Sequence, residues 1–309
     1  MEVHFDYKSY NVENAVVTTG VFDGVHKGHL EILERLKKAA SAIHGSPVVI
    51  TFWPHPRLVL HLDPAIKLLN TLDEKLELLE KAGIEHVVVI PFTEEFSQLS
   101  SDDFITKILV EKLNVRHLIV GFNHHFGKGR EGDFDQMLTY GERFGFSVEK
   151  LEAQIVENEK VSSTLIRKAL VSGEVDVASR YLGYDYSITG TVIVGNRIGR
   201  TIGFPTANLR INHDFKLIPK EGVYAVNVDV CGIRYAGMLN MGYRPTINAN
   251  PAPMSIEVHL INFEGDLYEK DITLHFKQRI RDEVKFNGIE ALKQQLNADK
   301  AAVMKILES

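Results

Sequence analysis

The sequence predicts a doubly wound α/β domain over residues 1–183, followed by a small all-β domain over 184–309 that closes with a helix. Three observations predict it. A chain of 309 residues favours two domains. Its N-terminal part alternates apolar, β-branched runs with amphipathic stretches, the signature of a parallel sheet covered on both faces. From about Thr189 onward the runs become strand-like, with little helix between them.

The elements follow in order. "AVVTT" (15–19), "PVVITF" (47–52), "HVVVI" (86–90) and "HLIVGF" (117–122) read as buried strands. Between them, Leu30, Leu33, Leu36, Ala40 and Ile43 share one helical face, as do Leu72, Leu76 and Leu79. Phe104, Ile108 and Leu109 predict a third helix over 102–113. "EVDVASRYL" is helical and gives way to strands at Gly183. In "GVYAVNVDV", Tyr224, Val226, Val228 and Val230 alternate with Ala225, Asn227 and Asp229, the period of a half-buried strand. Cys231–Gly232 is a two-residue hairpin turn leading into "IRYAGMLNM". "SIEVHLI" and "DITLHFKQRI" add further strands, so a small barrel or a sandwich is expected, and a helix covers roughly 288–308.

Composition excludes several classes. A formal charge of −6 gives no field that would draw in nucleic acid. No apolar run approaches the ~20 residues of a membrane span. One cysteine, Cys231, rules out an intrachain disulfide framework. No signal-peptide pattern, heptad, repeat or low-complexity tract occurs. These features predict a cytoplasmic protein without nucleic-acid or membrane partners, a monomer or weak homo-oligomer.

The chemistry concentrates in two stretches. In "TTGVFDGVHKGHLEIL" a strand ends, a loop holds Gly20, Asp23 and Gly24, and a helix starts near Lys27 or Gly28. Free backbone N–H groups of a first helical turn form an anion site. His26 and His29 flank that start three residues apart, placed to donate to phosphate oxygens as charge develops. An isolated H-x-G-H is equally compatible with ordinary capping. In "GNRIGRTIGFPTANL" (195–209), Thr206 and Asn208 point the same way if the chain is extended, offering two neutral oxygens to a largely hydrated Mg²⁺. Gly195, Gly199 and Gly203, with Arg200, make a glycine-rich stretch whose backbone is able to lie over nucleotide phosphates, although the spacing alone fits a flexible hairpin followed by an edge strand better. No G-x-x-x-x-G-K-[ST] occurs, which disfavours a P-loop kinase.

"GVFDGVHKGH" resembles the signature of the HxGH nucleotidyltransferases, and its wording is similar to their flavin branch, the bacterial bifunctional riboflavin kinase/FMN adenylyltransferases. "TFWPHP" (51–56), "GFNHHFGKGREGD" (121–133) and "VSSTLIRKAL" (161–170) resemble that family's further motifs, in order. "GRTIGFPTANL" is similar to the riboflavin-kinase signature, as are "LNMGYRPTI", "SIEVHLINFEGDLYEKDI" and "RIRDEVKFNGIEALKQQLNAD". The resemblance implies a six-stranded Greek-key-like barrel for the second domain and two Mg²⁺-dependent reactions, riboflavin to FMN and FMN to FAD, with ATP as donor. It implies that Gly20, Asp23, Gly24, Gly28, Ser163 and Thr164 bind ATP phosphates, with His26, His29 and Arg167 catalytic. It implies flavin contacts at Asn123, His55, Pro56, Arg281 and Glu283, a catalytic base at Glu257 and a metal at Thr206 and Asn208. His124, Leu165 and Glu269 depart from the family pattern. A glycine is usual at the position of Glu269, so a positive φ there predicts strain or an altered turn. Two rivals remain at this level: another nucleotidyltransferase substrate in the first domain, or a flavin-binding regulator without catalysis. Adjacent kinase motifs argue against the first, and a retained base and metal pair against the second.

Overall fold

The computed structural model describes every residue except 8–9, 11, 64, 123–124, 153–154, 157–158, 196–197, 244–253 and 309. The chain forms two compact units, Met1–Ser163 and Thr164–Ser309.

The first unit holds an all-parallel six-stranded sheet: β1 (Glu2–His4), β2 (Ala15–Thr19), β3 (Ser46–Trp53), β4 (His86–Pro91), β5 (Val115–Gly121) and β6 (Ser147–Leu151). Their order is β1-β4-β3-β2-β5-β6. The chain moves outward from β2 through β3 to β4 and returns beside β2 as β5. The connection therefore switches direction between β2 and β5, and the crevice at their carboxyl ends is where open α/β sheets bind ligands. Helices α1 (Lys27–Ala42), α2 (Pro56–Val59), α3 (Leu72–Lys81), α4 (Glu94–Ser97), α5 (Ser101–Asp103) and α6 (Phe134–Phe144) connect the strands. A two-residue pair, β7 (Ile155–Val156) and β8 (Glu159–Lys160), follows.

Alternate strand residues enter two cores, which is why the strands read as continuously apolar. Val17, Val48, Ile50 and Leu118 pack with Phe104, Ile105 and Leu109 on one face. Val16, Val49, Val87 and Ile119 pack with Leu33, Leu36 and Leu79 on the other. The helix expected over 102–113 is instead α5 followed by a π-helical stretch, Phe104–Val110. Its wider turns show in the bonds from Glu111 N–H to the Thr106 carbonyl and from Leu113 N–H to the Ile108 carbonyl.

The second unit takes in α7 (Ser163–Ser172) from its second residue, then α8 (Val175–Leu182) and a closed antiparallel barrel. Its strands are β9 (Ser187–Ile193), β10 (Ala207–Arg210), β11 (Gly222–Val230), β12 (Ile233–Tyr243), β13 (Met254–Leu260) and β14 (Asp271–Arg281), ordered β10-β13-β12-β11-β14-β9. A short helix, α9 (Ile198–Thr201), and the long α10 (Ile289–Glu308) complete it. Barrel, not sandwich, is the outcome. The hairpin reading of Cys231–Gly232 holds: both residues have positive φ, 48° and 82°, and Val230 pairs with Ile233. β11 is more buried than a half-exposed strand, because α10 covers its other face and packs Val303 into one cluster with Val223 and Ala225. Compactness divides the chain after Ser163, ahead of the composition shift at Gly183, where a left-handed residue (φ 89°) ends α8. The helices before the barrel belong with it: Lys220 N–H donates to the Leu170 carbonyl at 3.1 Å.

Candidate active sites

The first cluster lies where β2 runs into α1. His26 is the N-cap residue, and its Nδ1 accepts the His29 backbone N–H at 3.4 Å. With its lone pair so used, the neutral His26 ring carries its proton on Nε2. The two imidazoles stack, with centroids 3.7 Å apart and planes 14° from parallel. His29 Nδ1 is buried and unpartnered. Burial, then His26 and Lys75, hold His29 well below the ordinary imidazole value, so it is neutral at pH 7. The preceding loop is strained: Phe22 and Val25 have φ of 50° and 33°, with Gly24 at 89° between them. A β-branched residue at positive φ is an outlier that the surroundings must enforce, and such strain gathers at functional sites.

What enforces it is a set of buried polar contacts. The Asp23 carboxylate accepts the Leu69 and Asn70 backbone amides at 3.0 and 3.3 Å, and its carbonyl accepts the Ser163 hydroxyl at 2.8 Å. Asp23 thus clamps the loop from within, through both its carboxylate and its carbonyl. Lys75 is 1% exposed, donates to Thr51 Oγ1 at 3.4 Å and lies 5.3 Å from the Trp53 ring centroid. Desolvation drives its pKa down to about 8, against an opposing pull from Asp23. Thr51 in turn donates to the Val21 carbonyl at 3.1 Å. Neither Lys75 nor Thr51 is among the residues anticipated from sequence.

His55 and Pro56 follow β3, at the same carboxyl end of the sheet. His55 caps α2 by accepting the Arg57 N–H at 3.1 Å, with Pro56 at the first helical position. Gly20 and Gly28 bracket the strained loop. Thr164 and Arg167 lie on α7, in the second unit by compactness. Leu165 lies half-buried between them. Asn123 and His124 lie outside the described residues.

The second cluster lies on the barrel. Glu257 of β13 pairs in register with Asn208 of β10 on one side and Asn240 of β12 on the other. Its carboxylate accepts the Ser255 hydroxyl at 2.7 Å and the Thr206 hydroxyl at 3.4 Å. The structure therefore brings Thr206, Asn208 and Glu257 together. Gly195 belongs here too, since a Cβ on it would stand 2.2 Å from Asn208 Nδ2. Gly199 serves the loop that follows: its carbonyl accepts the Phe204 N–H at 2.8 Å, an approach that leaves a Cβ only 2.1 Å from the Phe204 oxygen. Gly203 has φ 84°. The side chain of Arg200 is outside the described residues. Beside Thr206 opens a pocket lined by Ala207, Leu260, Phe263, Leu267 and Tyr268.

His259, which shares the alternation of Glu257, is buried. Its Nδ1 donates to the Pro205 carbonyl at 2.8 Å and its ring stands edge-on to Phe204. Burial holds it below its ordinary value. It supports the Pro205–Thr206 segment, whereas Glu257 meets the hydroxyls. Arg281 makes a two-pronged bond to Asp299 of α10, with Nη2 2.7 Å from Oδ2 and Nε 3.0 Å from Oδ1. Glu283 lies across β12, where a Cβ on Gly242 would come 2.1 Å from its Oε2. Glu269 adopts φ 63°, so the turn keeps its left-handed residue without glycine. Ser255 is the further residue the sequence reading missed; its spacing of two from Glu257 on a strand is the signal that marks it.

Comparisons with known proteins agree with this division. A family model described as FAD synthetase matches residues 8–165, and one described as riboflavin kinase matches 182–307. A bifunctional riboflavin kinase/FMN adenylyltransferase of Listeria monocytogenes is 41% identical over 93% of this chain and 90% of its own. The protein of the same name from Bacillus subtilis is 40% identical over 93% and 90%. A crystal structure described as a macrolide-efflux protein from Streptococcus pneumoniae superposes with a TM-score of 0.88, at 30% identity over 98% of both chains. Among the described residues no helix is long and apolar enough to cross a membrane.

Proposed function

We propose that this chain, which belongs to the bifunctional riboflavin kinase/FMN adenylyltransferase family, runs the two reactions of that family on the two clusters of side chains just described. It phosphorylates riboflavin to FMN, and it adenylylates FMN to FAD with release of pyrophosphate. The observation that carries the assignment is the Glu257 carboxylate, held by two hydroxyls and set in register beside Asn208.

On the barrel, Glu257 takes the proton of the ribityl hydroxyl as that oxygen attacks the γ-phosphorus of ATP. The pocket beside Thr206, with its aromatic and aliphatic lining, suits the nucleoside of ATP. Two neutral oxygens, from Thr206 and Asn208, fit a partly hydrated Mg²⁺, which when bound neutralises phosphate charge. Gly195, Gly199, Arg200 and Gly203 cover the phosphates, and Arg281 and Glu283 border the flavin. In the first unit, the FMN phosphate attacks the α-phosphorus and needs no base. His26 and His29 hold the triphosphate at the start of α1, with the amides of the Gly24–Gly28 turn. Ser163, Thr164 and Arg167 take further phosphate oxygens. Asn123, His55 and Pro56 contact the flavin.

We place the boundary between the adenylyltransferase part and the kinase barrel at Gly183, and the enzyme in the cytoplasm as a monomer or weak homo-oligomer without nucleic-acid or membrane partners. Incubating the purified protein with riboflavin, ATP and Mg²⁺ and separating the products by chromatography tests the reading. FMN appears first, then FAD, and chelation of Mg²⁺ stops both. Absence of either flavin product rejects it.

A further inference from the structure

Glu2, His4 and His86 lie apart from both clusters, on the edge of the parallel sheet. Glu2 pairs in register with His86 across β1 and β4, and His4 is two residues further along β1, so the three share a sheet face. The two imidazoles stack with centroids 6.0 Å apart and planes 26° from parallel. Tyr10, 5% exposed, stands edge-on to His4 and His86 at 5.0 and 6.3 Å. His4 Nε2, His86 Nδ1 and the Tyr10 hydroxyl are all buried without a hydrogen-bond partner. Three orphaned polar atoms in one place are unusual, since burial without a partner is costly.

The distances point to what is missing. Glu2 oxygens lie 3.6 Å from His4 Nε2 and 3.5 Å from His86 Nδ1. These are long for N–H···O hydrogen bonds, which cluster near 2.9–3.0 Å. They are close to the edge of a tetrahedron built on ~2.05 Å metal–ligand bonds, about 3.3 Å. The ligand atoms of all three residues fall within 4.8 Å of one another.

We propose that Glu2, His4 and His86 bind a divalent transition cation of the Zn²⁺ class, whose fourth position is a water hydrogen-bonded to Tyr10. Two imidazoles and one carboxylate suit Zn²⁺ or Co²⁺, whereas Mg²⁺ prefers oxygen ligands alone. The cation would fasten β1, an edge strand of three residues, to β4. Co²⁺, whose visible absorption reports tetrahedral coordination, is the probe. Full-length chain is stripped with chelator and titrated with Co²⁺ in excess Mg²⁺. One equivalent produces the tetrahedral spectrum, and one equivalent of Zn²⁺ abolishes it. Glu2→Gln, at a side chain 66% exposed and so without effect on folding, weakens Co²⁺ binding by at least ~10-fold, as do His4→Gln and His86→Gln. His44→Gln, on an exposed histidine elsewhere in this unit, leaves it unchanged. An unchanged spectrum and affinity in Glu2→Gln and His86→Gln, or no tetrahedral spectrum with the parent protein, overturns the proposal.

Discussion

A lysine inside an apolar helix face carries a free-energy cost that depends on pH. Lys75 has a folded pKa of about 8 against an ordinary 10.5, so the unfolded chain binds a proton that the folded one releases between those values. Stability therefore rises with pH through that window, by roughly 3 kcal/mol in all. Lys75→Met removes the buried charge with little change of volume. In urea denaturation at pH 7 it should raise stability by about 1–3 kcal/mol, and the gain should shrink at pH 10. A gain independent of pH would show that packing, not charge, is responsible. Retaining a residue with such a cost is understandable beside His29, whose neutrality it helps to maintain. Glu257→Gln keeps the side chain's size, its amide oxygen accepting one of the two hydroxyls while the other turns to accept from the amide nitrogen, but it cannot accept the ribityl proton. Kinase kcat should fall by about 10²–10⁴-fold with KM nearly unchanged, while FMN adenylylation continues on the same preparation. A kinase rate within about threefold of the parent, too little for a lost base, would move the base elsewhere.

Single elements show which parts of the fold were legible. β2, β3, β4 and β5 are β-branched runs buried on both faces, and the barrel strands alternate between turns, so period and residue type agree. β1 is three residues long, β6 reads "SVEKL" and β10 reads "ANLR"; their apolar content is too low to show as strands, and only pairing with neighbours defines them. The π-helical stretch was hidden for another reason: Phe104, Ile108 and Leu109 satisfy an α-helical period as well as a wider one. Lys75 shares the spacing of Leu72, Leu76 and Leu79, so its position marked it as buried while its charge argued otherwise. Its partner Thr51 is 24 residues away, beyond any local pattern. Thr206, Asn208 and Glu257 were legible as motif residues, but their juxtaposition required the register of β10 on β13. The turn after Leu267 gives a quantitative case. Glu269, at φ 63°, donates its N–H to the Val192 carbonyl at 2.9 Å and so joins the turn to β9. A left-handed non-glycine residue costs about 1–2 kcal/mol, and glycine's extra freedom in the unfolded chain returns about 0.4–1 of it. Glu269→Gly should therefore stabilise the barrel by a few tenths to about 1 kcal/mol, read from the urea midpoint at constant slope.

On the scale of the molecule, the two family matches leave residues 166–181 between them, and the structure gives all of that stretch to the second unit. The barrel's own contacts explain this. α8 packs on β14. Arg279 of β14 lies where a Cβ on Gly173 would come 2.6 Å from its Cδ, and the Phe276 N–H donates to the Tyr186 carbonyl at 2.9 Å. Tyr186 is fully buried, and its hydroxyl donates to the Leu217 carbonyl at 2.6 Å. A fragment beginning at Thr164 keeps all of these contacts. One beginning at Tyr184 keeps the closed barrel, α10 and the Glu257 cluster but uncovers the outer side of β14. Both fragments should phosphorylate riboflavin, because Thr206, Asn208, Ser255 and Glu257 are common to them, and neither should form FAD, because His26 and His29 are absent. They should differ in stability. Burial of a Val or Leu side chain contributes ~1.5–3 kcal/mol, offset by the entropy of ordering two short helices, so the shorter fragment should unfold at lower urea by the equivalent of ~2–4 kcal/mol. Equal midpoints would make α7 and α8 dispensable to the barrel and Gly183 its stability boundary as well. Loss of kinase activity from the longer fragment, with its fold intact, would show that the first unit takes part in riboflavin phosphorylation.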